Sequence, residues 1–254
     1  MRILVCVKRV PAPGARITLT DDGQSIDVRH LSFTTSPHEE CAVEEAIRLK
    51  ERHEGTTTVL TLGPPEAEEQ LRYALSLGID EAVLLESDGP DWDPQATATA
   101  IAEVISGLEA QAGPFDLILF GNESADSGGY QVGIRVAHSL GRPVVSGIKG
   151  IEIDETGLTA SRQTPEGFER YRISLPAVVA VREGINLPRY PTLPGRLRSR
   201  KAEVTRYTPV RQTGGLVTTL LVSPPDQKSQ TTLLGNGAQS APKVVDLLEE
   251  LQLL

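Results

Sequence analysis

The residues best placed to do chemistry lie at positions 116–143, D-L-I-L-F-G-N-E-S-A-D-S-G-G-Y-Q-V-G-I-R-V-A-H-S-L-G-R-P. An apolar run of strand length, 117–120, breaks at Gly121, and small or polar residues follow to Gly129. From Tyr130 the apolar positions Val132, Ile134, Val136, Ala137 and Leu140 fall at helical spacing, until Gly141 and Pro143 stop the helix. Strand, loop and helix N-terminus in that order put unpaired N–H groups and a positive dipole end beyond a strand's carboxyl end. Such a place suits an anion, phosphate above all. Ser127, Gly128 and Gly129 carry little or no side chain to keep a phosphate from the backbone. The same spacing also describes an ordinary strand-to-helix turn, and glycines alone leave both readings open.

Other chemistries have less support. The chain has no G-x-S-x-G nucleophile turn and no G-x-x-x-x-G-K phosphate loop. His38 and Cys41 stand three apart on one expected helix, half of a metal site without a second pair. No catalytic residue and no metal ligand is therefore assigned.

The elements that must position the loop read as alternating strands and helices. Residues 3–7 form a continuous apolar run, as in a strand buried on both faces. Residues 16–30 alternate around Asp21, Asp22 and Gly23, a hairpin signal. Ser36 and Pro37 open a helix as N-cap and first residue, with Glu39 at the capping-box position. Its apolar stripe is Ala42, Val43, Ala46, Ile47 and Leu49, while Glu44, Glu45, Arg48 and Lys50 are expected to face water or a partner. Strands at 56–62 and 82–85, and helices from Pro64–Pro65 to about 77 and from Asp93–Pro94 to about 108, complete the series. That alternation predicts right-handed crossovers and a mostly parallel sheet.

After Pro143 the texture changes. Runs at 148–153, 158–164 and 168–174, separated by tight-turn signals, predict a β-meander, and 177–181 returns to the main sheet. Residues 182–197 read as irregular, stiffened by Pro188, Pro191 and Pro194, and 198–201 is basic. From 204 to 242 the chain is polar, an expected extended arm, ending in an amphipathic helix at 242–254 whose leucines need covering by this chain or another. The predicted class is α/β: a mostly parallel doubly wound, nucleotide-binding sheet with a small β-meander and a C-terminal extended arm. Residues 1–203, including a loop at 184–201, form the first domain and 204–254 the arm.

Composition narrows the function. At 254 residues, with 39% hydrophobic and 23% charged, the chain is of ordinary soluble type. A net charge of −9 argues against general nucleic-acid binding. No apolar run approaches the roughly 20 residues that span a bilayer, so no membrane insertion is expected. The opening residues are charged too soon, at Lys8 and Arg9, to resemble a signal peptide. Cys6 and Cys41 offer no disulfide framework and suit a reducing, cytoplasmic location.

Five separated motifs occur in order: I-L-V-C-V-K-R-V-P at 3–11, S-P-x-E-x-x-A-V-E-E-A-I-R-L-K at 36–50, A-L-S-L-G-I-D-E-A-V-L-L at 74–85, G-N-E-S-A-D at 121–126, and L-P-A-V-V-A-V-R-E-G-I-N-L-P-R-Y-P-T-L-P at 175–194. Together they resemble the β subunit of electron transfer flavoprotein, from residue 3 to about 225 and more loosely to the end. The resemblance implies an adenine nucleotide alpha hydrolase-like fold and a heterodimer with an α subunit that holds most of a FAD near the interface. It implies an electron carrier rather than an enzyme. Electrons would pass from flavin dehydrogenases, such as the acyl-CoA dehydrogenases of fatty acid oxidation, to a membrane quinone oxidoreductase or another acceptor. A buried AMP is expected in this subunit; bifurcating members hold a second FAD there.

Residue by residue, the resemblance places the backbone of Cys6 against adenine, with Ser36, Pro37, His38, Glu39 and Leu62 lining the site. Gly121, Asn122, Glu123, Ser124, Ala125, Asp126, Ser127, Gly128, Gly129, Tyr130, Gln131 and Val132 wrap ribose and phosphate. Within them Asp126 lies near ribose or phosphate, or else caps the next helix, and the backbone of 127–131 holds phosphate. The dehydrogenase-recognition stretch maps onto Arg189, Tyr190, Leu193, Pro194, Arg196 and Leu197, with Leu193 as the apolar anchor. Arg196, Arg198, Arg200 and Lys201 form either a partner patch or a solubilising run. The chain departs from the family at three places. D-S-G-G-Y-Q-V-G-I at 126–134 replaces the D-G-D-T-A-Q-V-G-P of bifurcating members, which favours AMP over a second FAD. Arg162, Gln163 and Thr164 stand where many members are acidic, and Pro11, Ala12 and Pro13 replace a Pro-Asp, so the resemblance leaves open whether β-side residues contact the flavin.

Two other classes compete. A stand-alone adenine-nucleotide-binding protein of the universal-stress type would not need residues 184–254. A small enzyme acting on an adenylate would need a triphosphate signature after strand one, which Lys8, Arg9, Val10 and Pro11 do not supply.

Overall fold

Strand β1 (Arg2–Cys6) lies near the middle of a nine-stranded sheet formed by the described residues of a computed structural model, which describes 1–212, 215–223 and 232–254. It is paired on both edges and buried on both faces, as its continuous apolar run requires. Beyond it, β2 (Val10–Pro11) and β3 (Phe33–Thr34) make a small antiparallel ribbon. The hairpin expected at 16–30 is reduced to one bridge, Leu19 with Ile26. Its turn closes, with Thr20 N donating to the Ser25 carbonyl at 2.9 Å, but its flanks are largely exposed and have no core beneath them to extend the ladder.

There follow α1 (Pro37–His53), β4 (Thr56–Gly63), a 3-10 turn at Pro65–Ala67, α2 (Glu68–Leu77), β5 (Glu81–Glu86), α3 (Pro94–Ala112), β6 (Leu117–Gly121) and α4 (Val132–Ser139). Capping explains two of these starts. Glu39 closes a capping box on Ser36, accepting from its N–H at 3.2 Å. Asp93 accepts from Gln95 N at 2.9 Å and Ala96 N at 3.3 Å. The meander is β7 (Val144–Asp154), β8 (Gly157–Thr164) and β9 (Gly167–Ile173), followed by β10 (Ala177–Val181), α5 (Leu193–Lys201), β11 (Val204–Tyr207) and α6 (Ala241–Glu250).

Strand order is β11-β5-β4-β1-β6-β10-β7-β8-β9. It is parallel from β11 to β7 and antiparallel from β7 to β9, so the predicted α/β class and parallel sheet hold. Alternate side chains of each strand feed two cores. Ile3, Val5, Leu119 and Val179 pack with Val43, Ile47, Leu71 and Leu75 of α1 and α2 on one face. Leu4, Ile118 and Val178 pack with Ile101, Ile105 and Val136 of α3 and α4 on the other. Each such fully buried aliphatic is worth roughly 1.5–3 kcal/mol.

Two readings of the C-terminal third are corrected. Residues 193–201, expected to be irregular to 197, form α5; Thr192 caps it by accepting from Gly195 N at 3.1 Å. Residues 204–207, expected to begin the arm, form an edge strand parallel to β5, Val204 facing Ala82. The expected arm also includes 213–214 and 224–231, which lie outside the described residues. The chain divides into two compact units, Met1–Leu220 and Leu221–Leu254. In the second, no residue of α6 is buried; Val244 and Val245 are exposed, as is Leu251. Among the described residues no helix is long and apolar enough to cross a membrane.

Candidate functional site

The chain lays β4 and β5 on one side of β1 and then jumps across it to place β6 on the other. At such a reversal the connections leave in opposite directions and a crevice opens at the carboxyl ends of the strands. Cys6 and Gly121 end β1 and β6 there, and Leu62 lies near the end of β4. The α1 N-terminus, residues 36–39, and the loop 122–131 close over the same edge. Ser36 Oγ reaches the Glu123 carbonyl at 3.4 Å, and His38 Nε2 lies 3.2 Å from Glu123 Oε1. Gly121 is required for this closure, because a Cβ there would stand 2.5 Å from Glu39 Cγ and 3.1 Å from Glu39 N.

Inside the loop the N–H groups divide into two sets. Those of Ser127 and Gly128, expected to meet phosphate, are used locally: Ser127 N donates to Asp126 Oδ1 at 2.8 Å and Gly128 N to the Ser124 carbonyl at 3.0 Å. The first bond entering α4 runs from Arg135 N to the Gln131 carbonyl at 2.9 Å. Val132, Gly133 and Ile134 precede it, and their N–H groups have no backbone acceptor outside the helix among the described residues. The space above Gly129 is open, with nothing within 4 Å of a Cβ built there. The N–H groups without such an acceptor thus lie nearer to α4 than the sequence suggested.

Asp126 does not cap α4, whose N-cap is Gln131. Its carboxylate meets Lys8 Nζ at 2.5 Å, and Lys8 also reaches Asp91 at 3.1 Å. Burial pushes the Asp126 carboxyl up, but the Lys8 charge and the hydrogen bonds from Lys8, Ser124 and Ser127 outweigh it and hold it below the usual range. Sequence reasoning missed Lys8 and Asp91. The only signal was a lysine directly after strand one, and its partners lie far away along the chain.

Glu39 sits buried beneath the crevice. Burial pushes its carboxyl up to about 8, against hydrogen bonds from the Lys8 and Ser36 N–H groups and the Lys8 charge. The neighbouring Cys6 thiol is also pushed well up, by burial first and Glu39 second, so it stays protonated. Folded Glu39 keeps its proton to about pH 8, whereas unfolded Glu39 loses it near 4.5. The stability this gives is complete below the lower value and is lost as pH rises towards the upper one. Denaturant unfolding of wild type at pH 5, 6.5 and 8 should therefore decline more steeply than that of Glu39→Gln, with the variant gaining relative ground at pH 8. Parallel curves would contradict this account.

Beside the crevice lies a polar cleft of about 670 Å³, lined by His38, Asn122, Glu123, Tyr130, Lys149, Arg182, Glu183 and Gly184. His38 Nδ1 accepts from Glu183 N at 2.8 Å, joining α1 to the end of β10, and Asn122 Oδ1 accepts from Gly147 N at 2.7 Å, joining the loop to β7. Lys149, Arg182 and Glu183 had no sequence signal, since only the pairing of β10 with β6 and β7 brings them here. Among the described residues no group of three or more His, Cys, Asp or Glu is placed to hold an ion.

The stretch read as partner-facing lies on α1 and α2. Tyr190 is 90% exposed, Leu193 71% and Leu197 54%, with Leu187 beside them at 83%. Pro194 and Arg196 are also exposed. Arg189 differs: its guanidinium turns inward, Nε to Glu44 Oε2 at 2.9 Å and Nη1 to Glu51 Oε1 at 2.7 Å. Glu44 and Glu45, expected to face water or a partner, are buried, because residues 184–192 cover that face of α1.

The electron transfer flavoprotein domain model matches residues 27–212. The chain is similar to the electron transfer flavoprotein subunit beta of Bacillus subtilis (strain 168), 35% identical over 98% of this chain and 97% of that one. It is similar to the subunit of the same name from Mycobacterium bovis (strain ATCC BAA-935 / AF2122/97), 36% identical over 81% and 78% respectively. The corresponding subunit of Bradyrhizobium diazoefficiens is 30% identical over 82% of each.

Proposed function

The chain belongs to the electron transfer flavoprotein β-subunit family, and from that premise we propose that it is the AMP-holding half of a heterodimeric, cytoplasmic electron carrier. The observation that carries the AMP reading is the crevice between β1 and β6. There the α4 N–H groups of Val132, Gly133 and Ile134 and the open face of Gly129 offer a phosphate cradle. Cys6, Leu62 and residues 36–39 would enclose the adenosine, and Asp126, held by Lys8, would fix the loop. These donors fit a monophosphate: they are few, backbone-derived and at one helix end.

The partner is an α subunit carrying FAD, which when bound supplies the redox chemistry. This chain's residues hold the nucleotide, pack against the α subunit and present a docking surface. The exposed leucine and valine face of α6 supports obligate pairing, since an apolar face gains stability when a second chain covers it. The heterodimer accepts electrons from flavin dehydrogenases, acyl-CoA dehydrogenases among them, and delivers them to a quinone oxidoreductase or another acceptor. It is a carrier and not an enzyme on its own.

Co-expression with an α subunit of the same family, then a cofactor inventory, tests this. One FAD and one AMP per heterodimer are expected. Asp126→Ala should lower AMP retention and the melting temperature while FAD stays near one, because a bound nucleotide stabilises by mass action. Two FAD per heterodimer would move the chain to the bifurcating class. A chain that sediments as a stable monomer, with a melting point indifferent to the α subunit, would overturn the heterodimer.

A further inference from the structure

The partner-facing stretch has no core of its own, yet it is held by a defined set of charged contacts. Between exposed Leu187 and Tyr190, Arg189 sends its guanidinium into the face of α1. Its fork meets Glu44, which is 2% exposed, and also Glu51 two turns on; Nη2 reaches Glu51 Oε2 at 3.0 Å, and Arg189 N donates to Glu44 Oε2 at 3.2 Å. Glu44 is held on its other side by Arg48 Nε at 2.6 Å, and Arg48 Nη2 donates to the Leu187 carbonyl at 3.3 Å. Asn186 Nδ2 donates to the Cys41 carbonyl at 3.0 Å and to buried Glu45 at 2.9 Å. After the loop, Gly195 lets α5 touch α2, since a Cβ there would run into the Ser76 carbonyl oxygen.

We infer that Arg189, gripped by Glu44 and Glu51, is a positioning residue that fixes the outward direction of Tyr190 and Leu193 before a dehydrogenase docks. This rests on the partner-facing reading of that stretch. Two carboxylates two helical turns apart accept one planar, two-sided donor in a single orientation, which a lysine ammonium cannot reproduce. A surface ordered in advance loses less entropy on docking. The alternative is that Arg189 meets the partner directly, and its geometry opposes this, because both edges of the guanidinium are already engaged.

The test uses the FAD-loaded heterodimer as electron acceptor of an acyl-CoA dehydrogenase that reduces it. Arg189→Met should raise the KM for the heterodimer about tenfold with kcat, AMP and FAD content unchanged, Arg189→Lys about threefold. In a Tyr190→Ala, Leu193→Ala background, Arg189→Met should add less than about twofold, because a residue acting through those two side chains has nothing left to position. Hydrogen exchange at residues 185–192 should speed up in Arg189→Lys and in Glu51→Gln, while that of 121–132 stays as in wild type. Glu51 is exposed, so its variant keeps the test open if Arg189→Met fails to fold. A full tenfold effect of Arg189→Met in that background would overturn the inference in favour of direct contact. So would an unchanged KM in Arg189→Met and Glu51→Gln while Leu193→Ala raises it. If Leu193→Ala itself leaves KM unchanged, the partner-facing reading falls and this inference with it.

Discussion

Leu193→Ala should weaken docking of an acyl-CoA dehydrogenase to the heterodimer by about ten- to a hundredfold. Leu193 is the first residue of α5 and is 71% exposed, so removing it opens no cavity in this chain. Burying a leucine side chain is worth roughly 1.5–3 kcal/mol, and each 1.4 kcal/mol is about tenfold in affinity. A helix N-terminus capped by Thr192 and packed on α2 presents that side chain at a fixed place, which is what a docking anchor needs. Folding, AMP content, FAD content and reduction by dithionite should match wild type. Titration of wild-type and variant heterodimers against the dehydrogenase gives the ratio. Full affinity in the variant would remove the anchor assignment; loss of flavin or of folding would make this stretch part of the core.

The second large effect separates two glycines of one loop region. Gly121→Ala puts a Cβ against Glu39 Cγ, Glu39 N and His38 Cβ, at 2.5, 3.1 and 3.3 Å. Overpacking of this kind costs about 1–3 kcal/mol, and each kcal/mol lowers the melting temperature by about 2–4 °C in a chain of this size. The start of α1 must retreat, so AMP should be lost as well. Gly129→Ala meets nothing within 4 Å and should leave the melting point of the nucleotide-free protein unchanged. It should still reduce AMP retention if phosphate lies against that face. Calorimetry of the two variants with and without added AMP distinguishes them. A Gly121→Ala protein as stable as wild type would show that the closure of β6 on α1 is looser than its distances imply. Unaltered AMP retention in Gly129→Ala would move the phosphate elsewhere along the loop.

Much of the fold was legible in the residues because its signals are local. Ser36, Pro37 and Glu39 carry their capping geometry within four positions, as do Asp93 and Pro94. Apolar runs at 3–7, 117–120 and 177–181 announce strands with two buried faces, and turn chemistry at 154–157 and 164–167 announces the meander. Helix α5 was missed because three prolines and a basic run mask a short helix whose stability comes from its contact with α2. Strand β11 was missed because half its residues are exposed, as on any sheet edge, so no buried run marks it.

By itself, then, the sequence determined the alternation of elements, the parallel class, the family and the loop at 121–132, all of which depend on neighbours within a few residues or on ordered motifs. Only the tertiary structure decided which groups that loop meets. Lys8 reaches Asp126 across 118 positions, and Arg189 reaches Glu44 across 145. The fate of Glu44 and Glu45 shows why. Two glutamates on a helix read as solvated because a charge in isolation belongs in water. They are buried here because Arg189 and Asn186 of a distant loop, with Arg48 of the same helix, satisfy them. That pairing depends on chain path, which the order of strands in the sheet settles and local composition does not record.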